Sequence, residues 1–163
     1  MDAVFKTDEG VFNYRVAGIW VQKGYVLLHK NVNDNHWTLP GGRVGIMEES
    51  NMALQREFQE ELGIDVKVER FLWSSENFFN YDGKNFHEIG LYYLVTSITD
   101  YKFNQEAFFG MEGNRLIYKW IPISRLNEVS LYPGFLKKGI KELPRHSQHI
   151  VVEDVASLNH RTL

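Results

Sequence analysis

Short hydrophobic and alternating runs fill the first third of the chain and predict β-strands. Pairs of these runs enclose turns that contain glycine, which is the usual signature of a β-hairpin. A polar segment that ends in two glycines follows them and predicts a loop. The predicted hairpins pair residues 5–7 with 11–15 and residues 16–21 with 25–30, and the loop covers residues 31–42.

A helical period replaces the strand pattern from Ser50 to Leu62. Leu54, Phe58 and Leu62 recur every four residues and form one apolar stripe. Gly63 follows at once, and glycine is the residue that most often takes the left-handed conformation at a helix end. The pattern therefore predicts one partly buried helix that stops at Leu62.

The rest of the chain returns to strand-like runs and then to helical segments. This order predicts an α/β or α+β layered domain with a mixed sheet. No repeat, low-complexity segment or linker divides the chain, so residues 1–163 are predicted to form a single domain. The predicted strands are 66–73, 86–95, 116–123 and an edge strand at 149–154, and the predicted helices are 124–129 and 133–143.

Composition narrows the classes of partner. The 163 residues are 44% hydrophobic and carry a formal net charge of -3, which provides no basic surface of the kind that binds a nucleic acid. The absence of cysteine excludes disulfides and thiolate chemistry and fits a reducing compartment. Neither a signal-peptide pattern nor an apolar run of membrane-spanning length is present, so we expect a cytoplasmic protein without a membrane partner.

Three carboxylates share one edge of the predicted helix. At about 100° per residue, Glu57, Glu60 and Glu61 project within an arc of roughly 100° beside the apolar stripe, where like charges repel. Two interpretations are open. One is a solvated face on which Arg56 pairs with Glu60, and the other is a divalent cation held by carboxylate oxygens, the ligands that Mg²⁺ takes.

The spacing of glycine, arginine and glutamate residues around this helix favours the second interpretation. Five residues separate Gly42 from Glu48, seven more lead to Arg56, and the run REFQEELGI continues to Ile64. This arrangement resembles the signature of the Nudix hydrolases, G-x5-E-x7-R-E-U-x-E-E-x-G-U, in which U is apolar. Every specified position is filled, and chance agreement is on the order of one in 10⁸ at average residue frequencies.

The resemblance implies a fold, a reaction and a cofactor. Nudix domains form an α/β/α sandwich with a mixed β-sheet, and family members hydrolyse a nucleoside diphosphate linked to another group by attack of water at phosphorus. The cofactor is Mg²⁺ or Mn²⁺. The implied metal ligands are Glu57, Glu60, Glu61 and the carbonyl of Gly42, with Glu60 also placed among the catalytic residues.

Two further signature residues receive supporting roles by the same resemblance. Arg56 is expected to orient a glutamate, and Glu48 is expected to support the loop or to bind metal through water. Two unspecified loop positions depart from the commonest family pattern. Gly45 stands where the family often has an acidic residue, and Met47 stands where it often has glycine.

Candidates for substrate contacts lie on both sides of the signature. Arg43 lies in the signature loop and is a candidate to bind a substrate phosphate, with a surface charge as the alternative. Phe79 and Tyr81 belong to an aromatic segment and are candidates to stack on a base, with ordinary packing as the alternative. We expect a small nucleotide-type substrate, and a homodimer remains open.

A further catalytic carboxylate is expected outside the signature. Glu88 lies on the apolar strand 86–95, where a carboxylate is costly unless it is paired or bound to metal. Glu106 and Glu112 are its rivals, because they lie in a segment with the composition of a mobile loop. A non-catalytic Nudix-like module that senses a nucleotide is the alternative to an enzyme.

Overall fold

A computed structural model describes residues 1–153 as nine strands, two α-helices and one 3₁₀ helix. The helices are α1 (Ser50–Leu62), α2 (Leu136–Lys141) and the 3₁₀ helix (Ile123–Glu128). The strands are β1 (Val4–Lys6), β2 (Val11–Gln22), β3 (Tyr25–Asn31), β4 (Gly41–Arg43), β5 (Val66–Tyr81), β6 (Lys84–Ser97), β7 (Phe108–Phe109), β8 (Leu116–Pro122) and β9 (Gln148–Glu153).

The strands form one mixed sheet in the order β7-β8-β3-β2-β6-β5-β9, with β1 and β4 paired to β2. The β2–β6 and β5–β9 pairs are parallel, and the other pairs are antiparallel. The β2–β6 ladder is long and regular, running from the pair Val11 and Phe86 to the pair Trp20 and Val95. This ladder places the centre of β2 beside a strand that comes much later in the chain.

Hydrophobic cores lie on both faces of the sheet, because alternate residues of β2 point to opposite sides. Val16 and Trp20 belong to the cluster that contains the buried residues of α1. Ala17 and Ile19 belong to the cluster that contains the buried residues of the 3₁₀ helix and α2. Helices therefore cover both faces of a mixed sheet, and the expected α/β/α sandwich is confirmed.

Most predicted elements are present, with several differences. Strand β5 continues to Tyr81 instead of ending at residue 73, and α2 covers only Leu136–Lys141 of the predicted helix 133–143. The predicted helix and its end are confirmed, since α1 covers Ser50–Leu62 and Gly63 adopts φ 67°. Residues 11–15 and 16–21 are not separate strands but one strand, because no turn residue interrupts them. The segment predicted as a helix at 124–129 forms the 3₁₀ helix, and the short strands β4 and β7 were not predicted.

Two further predictions concern the last strand and membrane-spanning segments. Strand β9 lies at the edge of the sheet beside β5, as expected, although Asp154 of the predicted strand lies outside the described residues. Neither α-helix of residues 1–153 has the length and apolar character that crossing a lipid bilayer requires.

Candidate active site

The signature loop approaches helix α1 through strand β4. Gly42 pairs with Val16 of β2, and this register holds its backbone directly against the carboxylate of Glu57. A Cβ atom at Gly42 would lie only 2.3–2.6 Å from the carboxyl atoms of Glu57. A larger residue at position 42 would fit only if the carboxylate of Glu57 moved, so the Gly42 backbone and this carboxylate lie in close contact.

Arg56 fixes the orientation of the glutamates around it. Its Nε and Nη2 donate to the two carboxylate oxygens of Glu48 at 2.8 and 3.0 Å, and its Nη1 donates to Glu57 at 2.8 Å. Nη1 also reaches Glu60 at 3.2 Å, and Nη2 donates to the carbonyl of Arg43 at 3.1 Å. Hydrogen bonds from Arg56 hold the pKa of Glu48 below its usual value. One planar donor group thus joins the loop to the helix, the geometry that an orienting role requires.

Glu48 and Met47 shape the turn that precedes α1. The carboxylate of Glu48 accepts the amide N–H of Gly45 at 2.7 Å. Met47 takes the left-handed conformation with φ 64°, at the position where the family often has glycine, and its side chain is 99% exposed. Met47 therefore adopts a conformation that is energetically unfavourable for a residue other than glycine.

The three helix glutamates occupy different environments. Glu61 is only 7% exposed, and the hydroxyl of Tyr118 donates to its carboxylate at 3.0 Å. Burial raises the pKa of Glu61 to about 7, and the nearby charge of Glu57 acts in the same direction. Burial also raises the pKa of Glu57. Glu60, in contrast, is half exposed and turned toward Arg56.

Glu57, Glu61 and Gly42 line a cavity of about 610 Å³. This volume lies within the range of roughly 300–1,000 Å³ that is typical of small-molecule sites. Glu60, Glu48 and Arg56 do not line it. Among residues 1–153 no three acidic or histidine side chains converge closely enough to form a preassembled metal-binding cluster.

The far end of the cavity is aromatic. Phe79 stacks on Phe86 with ring centres 5.0 Å apart and planes at 8°, and the ring of Tyr132 meets Phe79 edge-on at 5.7 Å. The hydroxyl of Tyr81 lies 3.4 Å from the carboxylate of Asp34 at the mouth. All five of these residues line the cavity, so the structure brings the predicted stacking candidates into the same space as the helix carboxylates.

Glu88 also faces this cavity, from the central strand β6. It is 7% exposed and accepts a hydrogen bond of 2.7 Å from the side-chain amide of Asn13, its partner on β2. The other end of that amide accepts a hydrogen bond of 3.1 Å from Nε of Arg43. Arg43, the candidate phosphate ligand, lines the cavity, but its Nε is already engaged by Asn13. Of the rival carboxylates, Glu112 lines the cavity and Glu106 does not.

The sequence also makes Arg15 and Lys30 candidates to contact substrate phosphates, with a surface charge as the alternative, and the structure places both at the cavity. Asn13, His29 and Arg115 lie at or beside the same cavity and were not selected from the sequence. The alternation of β2 places Asn13 and Arg15 on one face, and this was the available signal. Which later strand covers that face is set by pairing between residues far apart in sequence, and the local pattern does not contain it.

Comparison with known proteins identifies the family. A family model described as the NUDIX domain matches residues 10–142, which is most of the chain. The chain belongs to the Nudix family. The resemblance in the signature is thereby confirmed, and the match extends from the start of β2 to just beyond α2.

Curated relatives and solved structures agree with this assignment. An RNA pyrophosphohydrolase of Haemophilus influenzae is 35% identical over 60 residues, covering 37% of this Nudix chain and 31% of the relative. An RNA pyrophosphohydrolase of Actinobacillus pleuropneumoniae is 29% identical over 136 residues, covering 73% of this chain and 64% of the relative. The chain thus spans less than two thirds of the length of these relatives.

Among solved structures, the crystal structure of a NUDIX hydrolase from Nitrosomonas europaea matches with a TM-score of 0.61. It is 18% identical, and the match covers 90% of this chain and 81% of that chain. At this level of identity the likeness concerns the fold.

Proposed function

We propose that this Nudix protein is a divalent-metal-dependent pyrophosphohydrolase that acts on a nucleoside diphosphate linked to another group. The observation that carries the proposal is the convergence of Gly42, Glu57 and Glu61 on one wall of a cavity whose other end is aromatic. The named activity of the curated relatives, RNA pyrophosphohydrolase, belongs to the same class of reaction.

The residues of this wall suit a hard divalent cation. Two carboxylates with raised pKa values face the same space as the Gly42 backbone, which only glycine allows to approach so closely. Oxygen donors of this kind are those that Mg²⁺ and Mn²⁺ prefer. Glu57, Glu61 and the Gly42 carbonyl would hold the ion. Glu60, the remaining expected ligand, pairs with Arg56 and does not line the cavity. When bound, the ion neutralises charge on the phosphates and acidifies water.

The other residues bind, orient and accept protons. Arg56 holds Glu57 and Glu48 in place, and the aromatic end receives the base. Glu88, held by a hydrogen bond from Asn13, would accept the proton of the attacking water. The water oxygen forms a bond to one phosphorus, one P–O bond of the P–O–P bridge breaks, and the bridging oxygen leaves with its electron pair on the other phosphate.

Turnover across a substrate panel tests this proposal. We expect nucleotide or phosphate release from at least one of the nucleoside triphosphates, dinucleoside polyphosphates and nucleotide sugars, with Mg²⁺ or Mn²⁺ and not with EDTA. Glu61→Gln should lower kcat by at least about 100-fold, because it removes a charged oxygen ligand without changing the side-chain shape. Tight nucleotide binding without turnover on any substrate would instead support the sensing module.

A further inference from the structure

Three cations of the cavity have no acidic partner. Arg15, Lys30 and Arg115 all line it, and none of them forms an ion pair with a carboxylate within residues 1–153. Arg56 of helix α1 differs, because it pairs with three glutamates and does not line the cavity. Backbone carbonyls accept hydrogen bonds from Arg15 and Lys30 but do not neutralise them, so the cavity retains positive charge with which an anionic ligand can pair.

Arg15 and Arg115 share the lining of the cavity with a buried histidine. His29 is 5% exposed and lines the cavity. Burial, followed by the charges of Arg15 and Arg115, lowers its pKa to about 3. Both guanidinium groups are thus within electrostatic reach of one imidazole ring, which stays neutral. The guanidinium group of Arg15 also donates to the backbone carbonyls of Leu39 and Gly41 at 3.4 Å, close to Gly42 in the chain, so Arg15 adjoins the carboxylate wall.

Backbone contacts fix the segments that carry these cations. The N–H of Met111 donates to the carbonyl of Glu61 at 2.7 Å, which ties the loop before Arg115 to the end of α1. The carbonyl of Arg115 accepts the N–H of Val32 at 3.0 Å. The ammonium of Lys30 donates to the backbone carbonyl of Asp34 at 3.1 Å. The cationic groups are held at the cavity by these anchors without being neutralised.

We propose that Arg115 and Lys30, together with Arg15, form a subsite for the terminal phosphate of a chain of three or more phosphates. The inference rests on the proposed function and specifies its substrate class. A nucleotide sugar carries only the two phosphates of the scissile bridge and ends in a neutral group, so it offers no third phosphate to these cations. A triphosphate supplies a further anionic group, for which arginine offers paired donors and lysine a point charge.

The test measures kcat/KM for two groups of substrates with the full chain and Mg²⁺ or Mn²⁺. The triphosphate group contains GTP, ATP and a 5′-triphosphorylated oligoribonucleotide, whose comparison distinguishes a free nucleotide from an RNA end. The second group contains UDP-glucose and ADP-ribose. We expect the triphosphate group to be preferred by at least about 10-fold, the effect of one charge-assisted contact.

Substitutions then locate the preference. Arg115→Gln and Lys30→Gln should each raise KM for triphosphates about 10-fold and leave KM for UDP-glucose within about 2-fold. Lys119→Gln is the matched control, since Lys119 is an exposed cation of β8 that does not line the cavity. The subsite is wrong if nucleotide sugars are the better substrates, or if the variants affect both groups equally.

A binding measurement separates this inference from the proposed function. Calorimetry with a non-hydrolysable triphosphate analogue and with UDP-glucose reports the subsite whether or not turnover occurs. Weaker binding of the analogue alone in Arg115→Gln supports the subsite even if no substrate is hydrolysed, an outcome that would reject only the enzymatic proposal. Unchanged binding of the analogue rejects the subsite even if hydrolysis is confirmed.

Discussion

At the scale of single residues, the site depends on side chains that hold other side chains. Arg56 uses three nitrogens to fix two glutamates and a loop carbonyl. Asn13 joins Glu88 to Arg43 through the two ends of one amide. Groups of this kind set the direction of a carboxylate, so we expect their removal to lower activity more than it lowers the stability of the fold.

Arg56→Lys tests the orienting role. Lysine keeps the charge but cannot donate to Glu48 and Glu57 from one planar group, so we expect kcat/KM to fall about 10- to 100-fold. The affinity for metal should also fall, which is measured as a higher Mg²⁺ concentration at half activity. Arg125→Lys is the control, because Arg125 pairs with Glu128 on the surface. A fully active Arg56→Lys enzyme would return Arg56 to a simple surface charge.

Glu88→Gln tests the carboxylate outside the signature. Glutamine keeps an oxygen for the amide of Asn13 but is not a base, so kcat should fall about 10²- to 10⁴-fold at saturating metal and substrate. Glu106→Gln should have no effect, because Glu106 does not line the cavity. Loss of kcat in Glu112→Gln with an intact Glu88→Gln enzyme would show that the loop supplies the base.

At the scale of elements, the decisive contact is that of β4 with α1. A strand of three residues carries Gly42 into the space beside Glu57, where a single methyl group would overlap the carboxylate. The site therefore depends on the short distance between α1 and β4, and the absence of a side chain at Gly42 permits that distance.

Gly42→Ala should displace Glu57 or push β4 away from the helix. Overpacking of this kind costs about 1–3 kcal/mol in the free energy of unfolding, and we expect metal-dependent activity to be lost with it. Urea unfolding and the Mg²⁺ titration of activity measure the two effects. Gly134→Ala is the control, since nothing lies within 4 Å of its added methyl group. Equal results for both variants would refute the close contact.

The sequence was sufficient for α1 because both of its signals are local, a four-residue period and a terminal glycine. It was not sufficient to separate Glu60 from Glu61. Helical geometry places both in one arc, whereas the fold buries Glu61 against Tyr118, 57 residues away, and leaves Glu60 half exposed. Strand β4 escaped prediction because Gly41–Arg43 has no hydrophobic pattern. Its pairing with β2 comes from tertiary contacts.

At the scale of the whole molecule, buried titratable groups make stability depend on pH in opposite directions. His29 has a lowered pKa and Glu61 a raised one, each with burial as the main cause. As the pH falls, the unfolded chain protonates His29 before the folded chain does, which lowers the free energy of unfolding. Glu61 behaves in the opposite way. Between pH 7 and about 4.5 the folded chain protonates Glu61 before the unfolded chain does, which raises the free energy of unfolding as the pH falls.

His29→Asn isolates the first effect. Above pH 6.5 the imidazole is neutral in both states and contributes no pH dependence, and between 6.5 and about 3 it destabilises the fold by up to about 1.4 kcal/mol per pH unit. Arg15 and Arg115 are the charges that face it. With EDTA present, wild type should therefore lose more stability than His29→Asn as the pH falls from 6.5 to 4. If wild type and His29→Asn lose the same free energy of unfolding between pH 6.5 and 4, His29 takes up its proton in the folded protein as readily as in the unfolded chain.

The parallel ladder between β2 and β6 also determines when the site comes into existence. Asn13 and Glu88 are partners across it although 75 residues separate them, whereas β5 and β6 are joined by a tight turn. Closing a long loop is slower than zipping a neighbouring hairpin, so the β5–β6 hairpin forms early and the β2–β6 contact late. We therefore expect a chain that refolds from urea to acquire much of its secondary structure before Glu88 meets Asn13, so that the proposed catalytic site is complete only late in folding.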